Sequence, residues 1–167
     1  MAATPSVLLV SDTSVLVDLE RGNLIEAAFQ CRLTMVVPDI LYERELLEFN
    51  GPYLKSLGLG VVLLSPSEVQ LAQQITTERA GLSVPDAFAL SCATRPGHTL
   101  LTGDRQLRSE AAMRKVNVVG LLWILDQMAA AGVSRQQLHE GLTRICSHSR
   151  CRLPPTEVKH RLAAWGA

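Results

Sequence analysis

Short apolar runs alternate along this chain with segments of helical periodicity, and this alternation restricts the fold more than any other feature. Strands that alternate with helices at such spacing form right-handed βαβ units, which assemble into a parallel sheet with helices on both faces. We therefore predict a three-layer α/β/α fold with a five-stranded parallel sheet. The predicted strands are Val7–Val10, Leu33–Val37, Gly60–Leu64, His98–Thr102 and Val116–Gly120.

Beyond Gly120 the sequence predicts helices only, separated by short stretches that contain proline or glycine. A segment this short and this poor in aromatic residues buries too little surface to fold alone. We expect residues 1–132 to form the core of the domain, and residues 133–167 to form a helical C-terminal extension packed on it.

The composition is that of an ordinary globular domain without a strong electrostatic signature. The 167 residues are 47% hydrophobic, and sixteen basic residues balance sixteen acidic ones. A net charge of zero excludes the global positive field of a strong nucleic-acid binder, so any contact with RNA or DNA must use a local patch. The first apolar run is too short for a signal sequence or a membrane span, and we expect a cytoplasmic protein with no membrane contact.

Four cysteines are scattered through the chain, which argues for reduced thiols. Cys146, His148, Cys151 and His160 do lie close together in sequence. Their spacing lacks the close cysteine pairs of a structural zinc site, so incidental thiols are the better interpretation.

Asp12 and Asp104 each lie at the end of an apolar run that predicts a buried strand. Parallel strands deliver such residues to the carboxyl edge of the sheet, where ligands bind in open α/β folds. Two carboxylates brought there would repel each other unless a cation lies between them. A hard divalent cation with oxygen ligands is the usual solution. Each aspartate alone is equally a helix N-cap, so the argument depends on further acids.

Two predicted helices supply those acids. A helix from Pro38 to Phe49 carries an apolar arc, and Glu45 falls inside that arc, where a carboxylate is costly unless paired or bound to metal. Helix boundaries are uncertain by a few residues, so Glu43 stays open as the alternative. Asp86 lies in the first turn of a strongly apolar helix, where the helix dipole alone also favours an acid.

The order of the acids Asp12, Glu45, Asp86 and Asp104 along the chain resembles the PIN-domain ribonuclease family. The tail that follows VVGLLWILDQMAAAGV looks like the helical end of a bacterial and archaeal branch of this family that is related to toxins of the VapC type. The segments that carry the resemblance are LLVSDTSVLVDL, VVPDILYERELLEF, VPDAFALSCATRPGHTLLTGDRQL and VNVVGLLWILDQMAAAG. Together they cover nearly all of residues 6–132. None is specific alone, but their combination is.

The resemblance implies that the four acids converge on Mg²⁺ or Mn²⁺ and that the protein cleaves RNA. It also implies that hydroxyls beside the first and last acids assist, and here these are Thr13, Ser14 and Thr102. For a toxin it implies an antitoxin protein as partner, and relatives that pair through surface helices imply a homodimer.

Three arginines lie beside the predicted acids and are candidates for contacts with RNA phosphates. They are Arg44, Arg105 and Arg108. Solvated helix faces are the simpler explanation for each of them taken singly.

Two other functions compete with the nuclease. A phosphatase of the haloacid dehalogenase class also has a strand-end aspartate and a later Gly-Asp, but its two further acids are replaced here by Ser14 and Arg108. A PIN-like module that only binds partners is the non-enzymatic alternative. Retention of all four acids argues against it, because buried carboxylates without a cation are costly.

Overall fold

The computed structural model, which describes residues 7–148 and 151–166, contains a five-stranded sheet in which every neighbouring pair of strands is parallel. The strands are β1 (Val7–Ser11), β2 (Leu33–Pro38), β3 (Gly60–Val62), β4 (His98–Leu101) and β5 (Val118–Val119). They lie in the order β3-β2-β1-β4-β5. The predicted α/β/α fold is therefore confirmed.

Helices connect the strands and cover both faces of the sheet. They are α1 (Thr13–Arg21), α2 (Ile25–Gln30), α3 (Asp39–Leu41), α4 (Gly51–Leu57), α5 (Pro66–Glu78), α6 (Val84–Ala93), α7 (Arg105–Met113), α8 (Leu121–Ala130), α9 (Arg135–Ser147) and α10 (Pro155–Gly166). A π-helical segment, Tyr42–Leu46, continues α3 directly. Within the described residues, no helix is long and apolar enough to cross a bilayer.

The predicted continuous helix from Pro38 to Phe49 is wrong. The chain passes from α3 into the π-helical segment, leaves the helix after it, and begins the separate helix α4 at Gly51. A π-helical turn contains more residues than an α-helical turn, so the expected apolar arc no longer stays on one face. Phe49, the last residue of the predicted helix, is 59% exposed.

The core is centred on β1, whose residues Leu9 and Val10 are fully buried between the two helical layers. Helix α9 packs against α1, α8 and α10. The approach is close because a side chain at Gly141 would overlap Leu24 in the turn after α1. Leu142 on α9 is fully buried and belongs to the same apolar cluster as β1. The C-terminal helices thus share the core of the sheet.

Candidate active site

The carboxyl ends of the neighbouring strands β1 and β4 lie side by side at the switch point of the sheet, where the chain changes from building one half of the sheet to building the other. From β1 the chain continues to β2 on one side, whereas β4 lies on the other side. Ser11 pairs with Leu101, and the next backbone N–H, that of Asp12, donates to the carbonyl of Leu101 at 3.0 Å. Such a switch point opens a crevice that is the general ligand site of open α/β sheets. Asp12 lies at this crevice.

Asp12 is buried and held by three hydrogen bonds. Its Oδ1 accepts from the backbone N–H of Val15 and from the hydroxyl of Ser14, both at 3.0 Å, and its Oδ2 accepts from the hydroxyl of Thr102. The bond from Val15 makes Asp12 the N-cap of α1. Burial raises the pKa of Asp12 to about 6, hydrogen bonds from Thr102, Val15 and Ser14 oppose the rise, and the charge of Asp86 adds to it.

Thr102 links Asp12 to Asp104. Its side-chain oxygen accepts from the backbone N–H of Asp104 at 3.1 Å while its proton goes to Asp12. Asp104 caps α7, since its Oδ1 accepts from the N–H of Leu107 at 2.8 Å. Asp104 is exposed to solvent, unlike the buried Asp12.

Asp86 links the other three acids electrostatically. It occupies the first turn of α6, whose N-cap Ser83 accepts from its backbone N–H at 3.2 Å. Burial raises the pKa of Asp86, hydrogen bonds from Ser83 oppose this, and the charges of Asp104 and Glu45 raise it further. Since Asp86 also acts on Asp12, the structure brings all four predicted acids into one electrostatic cluster.

Glu45 reaches this cluster from the π-helical segment. The expectation of a buried position was wrong, because Glu45 is exposed. The hydroxyl of Thr13 donates to its Oε1 at 2.8 Å, which ties the segment to the first residue of α1. Among the described residues this contact distinguishes Glu45 from Glu43, which is also exposed.

The four acids have the oxygen ligands that a hard cation prefers, but they do not form a complete set of metal ligands. Within the residues that the structure describes, no three His, Cys, Asp or Glu side chains are gathered closely enough to hold a metal ion. The four cysteines form no disulfide. Mg²⁺ takes only one or two carboxylates directly and fills its remaining positions with water. Burial and neighbouring carboxylates raise the pKa of Asp12 and of Asp86, and a bound cation would offset the negative charge that these neighbours create.

The three candidate arginines differ in their surroundings. Arg108 turns back onto the backbone, where its Nε donates to the carbonyl of Thr102 at 2.9 Å, so it holds the β4 end of the site. No sequence pattern signals this contact, which depends on how α7 packs on β4. Arg44 and Arg105 are exposed, and neither guanidinium has an ion-pair partner among the described side chains.

Comparison with known proteins agrees with the fold. A family model described as a PIN domain matches residues 8–167, nearly the whole chain. No curated protein matches the chain. PIN domains are generally nucleases that act on RNA and use divalent metal ions. The resemblance carried by the four acidic segments is confirmed: the chain belongs to the PIN-domain family.

Proposed function

We propose that this protein is an endoribonuclease that hydrolyses RNA phosphodiester bonds with Mg²⁺ or Mn²⁺. The observation that carries the proposal is the cluster of Asp12, Glu45, Asp86 and Asp104 at the switch point of the sheet. Membership of a nuclease family supports the reaction class.

Phosphodiester hydrolysis needs an activated water and positive charge against the negative charge that develops on phosphate, and a bound divalent ion supplies both. Asp12 and Asp104 would hold the ion, because Thr102 fixes the positions of both residues. Asp86 and Glu45 would accept hydrogen bonds from water at the site, with Thr13 orienting Glu45. Ser14 keeps Asp12 oriented in the same way.

The arginines divide between substrate binding and support. We assign Arg44 and Arg105 to the phosphates that flank the cleaved bond, because both are exposed beside the acids. Arg108 acts as a positioning residue through the Thr102 carbonyl. Domain organisation follows the same proposal, with residues 1–132 as the catalytic core and residues 133–167 as a helical extension on that core.

A more specific version of this proposal is that the protein is the toxin of a toxin–antitoxin pair. It requires an adjacent reading frame that encodes an antitoxin, and growth arrest on expression that co-expression of this antitoxin relieves. A homodimer is part of the same proposal, supported by the exposed apolar side chains of Leu47 and Phe49. Light scattering of the purified protein measures the number of chains directly.

The experiment that tests the reaction class is cleavage of a mixed panel of single-stranded RNAs with Mg²⁺ or Mn²⁺, each compared with EDTA. Hydrolysis of p-nitrophenyl phosphate runs in parallel. We expect RNA cleavage that EDTA abolishes and no hydrolysis of the small ester. Hydrolysis of the ester with intact RNA would favour the phosphatase, and absence of both reactions would favour a module that only binds partners.

A further inference from the structure

A cavity of about 440 Å³ lies between the start of α7 and the segment that precedes α6. One wall is the loop 78–82, which leads into the helix that carries Asp86. The other wall is the first turn of α7, which begins directly after Asp104. Its volume lies within the roughly 300–1,000 Å³ of small-molecule sites. Two of the proposed catalytic acids thus lie next to these walls in sequence, Asp104 directly before Arg105 and Asp86 four residues after Leu82.

The wall from α7 offers polar groups that the protein itself does not use. Arg105, Gln106 and Ser109 line the cavity, and none of the three side chains hydrogen-bonds to another described residue. Exposed polar residues on a helix are ordinarily only solvated. Here the three residues line a cavity whose other wall is residues 78–82. A helix face that is only solvated has no such second wall.

The second wall contains a guanidinium that is fixed in orientation. Arg79 donates from Nε to Glu110 at 2.7 Å, and the side chain of Glu110 is only 5% exposed. Arg114 donates to the same carboxylate at 3.1 Å and holds it in place. Guanidinium planes of this kind stack on unstacked bases in RNA complexes.

Gln106 reaches across the cavity to the loop. Its amide lies against Gly81, where a methyl group would overlap it. A glutamine amide presents a donor and an acceptor side by side, which is the pattern that pairs with the edge of a nucleobase. Because Gly81 has no side chain, the amide can lie against the loop, and it has no hydrogen-bond partner among the described residues.

Resting on the proposed ribonuclease function, we propose that this cavity binds an unstacked nucleobase of the RNA strand next to the phosphate at the acids. Arg79 stacks on the base, and Gln106 reads its edge. The cavity then gives the enzyme a preference for one base at a single position beside the cleaved bond.

The test is the binding of four labelled hexanucleotides, measured by fluorescence anisotropy in EDTA at low salt. The RNAs are homopolymers of A, C and U and an alternating G–U sequence. We expect the wild type to prefer one RNA by about tenfold, as one well-placed bidentate contact to a base provides. Gln106→Ala reduces this preference to about twofold or less while leaving affinity for the other RNAs unchanged.

Two further variants sharpen the comparison. Gly81→Ala displaces the Gln106 amide without changing it, and we expect the same loss of preference. Gln70→Ala removes an exposed glutamine near the start of α5, away from the cavity, and should keep the wild-type preference. Equal binding of all four RNAs by the wild type would overturn the proposal. An equal weakening of all four by Gln106→Ala would overturn it as well, because that result describes a phosphate contact.

The same RNAs incubated with Mg²⁺ separate this inference from the proposed function. Preferential binding without any cleavage would contradict the nuclease and leave the base-binding cavity standing. Cleavage of all four RNAs at equal rates would support the nuclease and contradict the cavity as a base reader.

Discussion

The hydroxyl of Thr102 donates a hydrogen bond to the carboxylate of Asp12, and this bond joins the carboxyl ends of β4 and β1. The same oxygen accepts from the backbone N–H of Asp104 at 3.1 Å. One buried hydroxyl therefore sets the positions of two of the four proposed catalytic acids.

Thr102→Val removes this hydroxyl and keeps the shape of the side chain. We expect RNA cleavage to fall by about 10- to 100-fold, as for other residues that orient metal ligands. Because the Thr102 bond lowers the pKa of Asp12, the acid limb of the pH–rate profile should also move to higher pH. Thr99→Val, in the strand that directly precedes Thr102, is the matched control and should leave the rate and the pH profile unchanged. An unaltered profile in Thr102→Val would contradict the orienting role.

Asp12→Asn should stabilise the protein at pH 8 in EDTA. A pKa raised from its usual 3.8 to about 6 corresponds to about 3 kcal/mol against the ionised form. Since the folded pKa is the higher one, wild-type stability is lost as pH rises from about 4 to about 6, and the variant escapes this loss. The asparagine forms a poorer hydrogen bond with Thr102, so we expect the free energy of unfolding at pH 8 to rise by about 1–3 kcal/mol.

Urea denaturation at several pH values measures this effect. The gain in the free energy of unfolding should shrink toward pH 4, where the folded wild type is already protonated at Asp12. A variant that is less stable than the wild type at pH 8 would show that the hydrogen bonds to the Asp12 carboxylate outweigh the cost of burying its charge.

Much of this site could be predicted because its residues follow directly from local sequence pattern. Asp12 and Asp104 end apolar runs, and strand ends in a parallel sheet converge without any knowledge of loops. Asp86 follows Pro85 at the start of an apolar helix, which fixes its place in the first turn. These sequence patterns are local, so an error of a few residues in a predicted strand or helix boundary does not change the prediction.

The position of Glu45 could not be predicted from local sequence pattern. Helical periodicity predicts it on a buried face, yet it is exposed and its link to the site is the hydroxyl of Thr13. The π-helical segment has no side-chain cap that would mark it in the sequence. Helix α4 does have a local signature, with Pro52 in its first turn and Gly58 at its C-cap, but the predicted helix to Phe49 left it out. Helix α2 was also missed, since it has only six residues and no side-chain cap.

Glu45→Gln separates the two candidate glutamates of that segment. We expect a loss of RNA cleavage of about 10- to 100-fold, because the proposed function gives Glu45 a charge that acts on the site. Glu43→Gln makes the same change two residues away and should keep the rate within about twofold, as exposed substitutions away from a site usually do. Initial rates on one RNA at saturating Mg²⁺ compare the two variants. Equal losses of rate would mean that the hydrogen bond from Thr13 does not identify the functional glutamate.

Leu142→Ala tests whether the C-terminal helices belong to the same folding unit as the sheet. Leu142 is fully buried in the common core, so truncation should cost about 2–5 kcal/mol. Leu63→Ala, at a leucine that is 75% exposed, is the control and should change stability by about 0.5 kcal/mol or less. Thermal unfolding should show one cooperative transition at lower temperature. A second transition, with the first unchanged, would instead describe an independent C-terminal unit.

The measurement that tests the central claim most directly is the rate of Mg²⁺-dependent RNA cleavage by Asp104→Asn. The amide keeps an oxygen to cap α7 at Leu107, so the fold should persist while the charge at the crevice is lost. Asp126→Asn removes an aspartate that pairs with Arg161 between α8 and α10, and it controls for the substitution itself. We predict that Asp104→Asn lowers cleavage by at least about 100-fold and that Asp126→Asn retains the wild-type rate. A folded Asp104→Asn protein that cleaves RNA as the wild type does would contradict the assignment of these acids to catalysis.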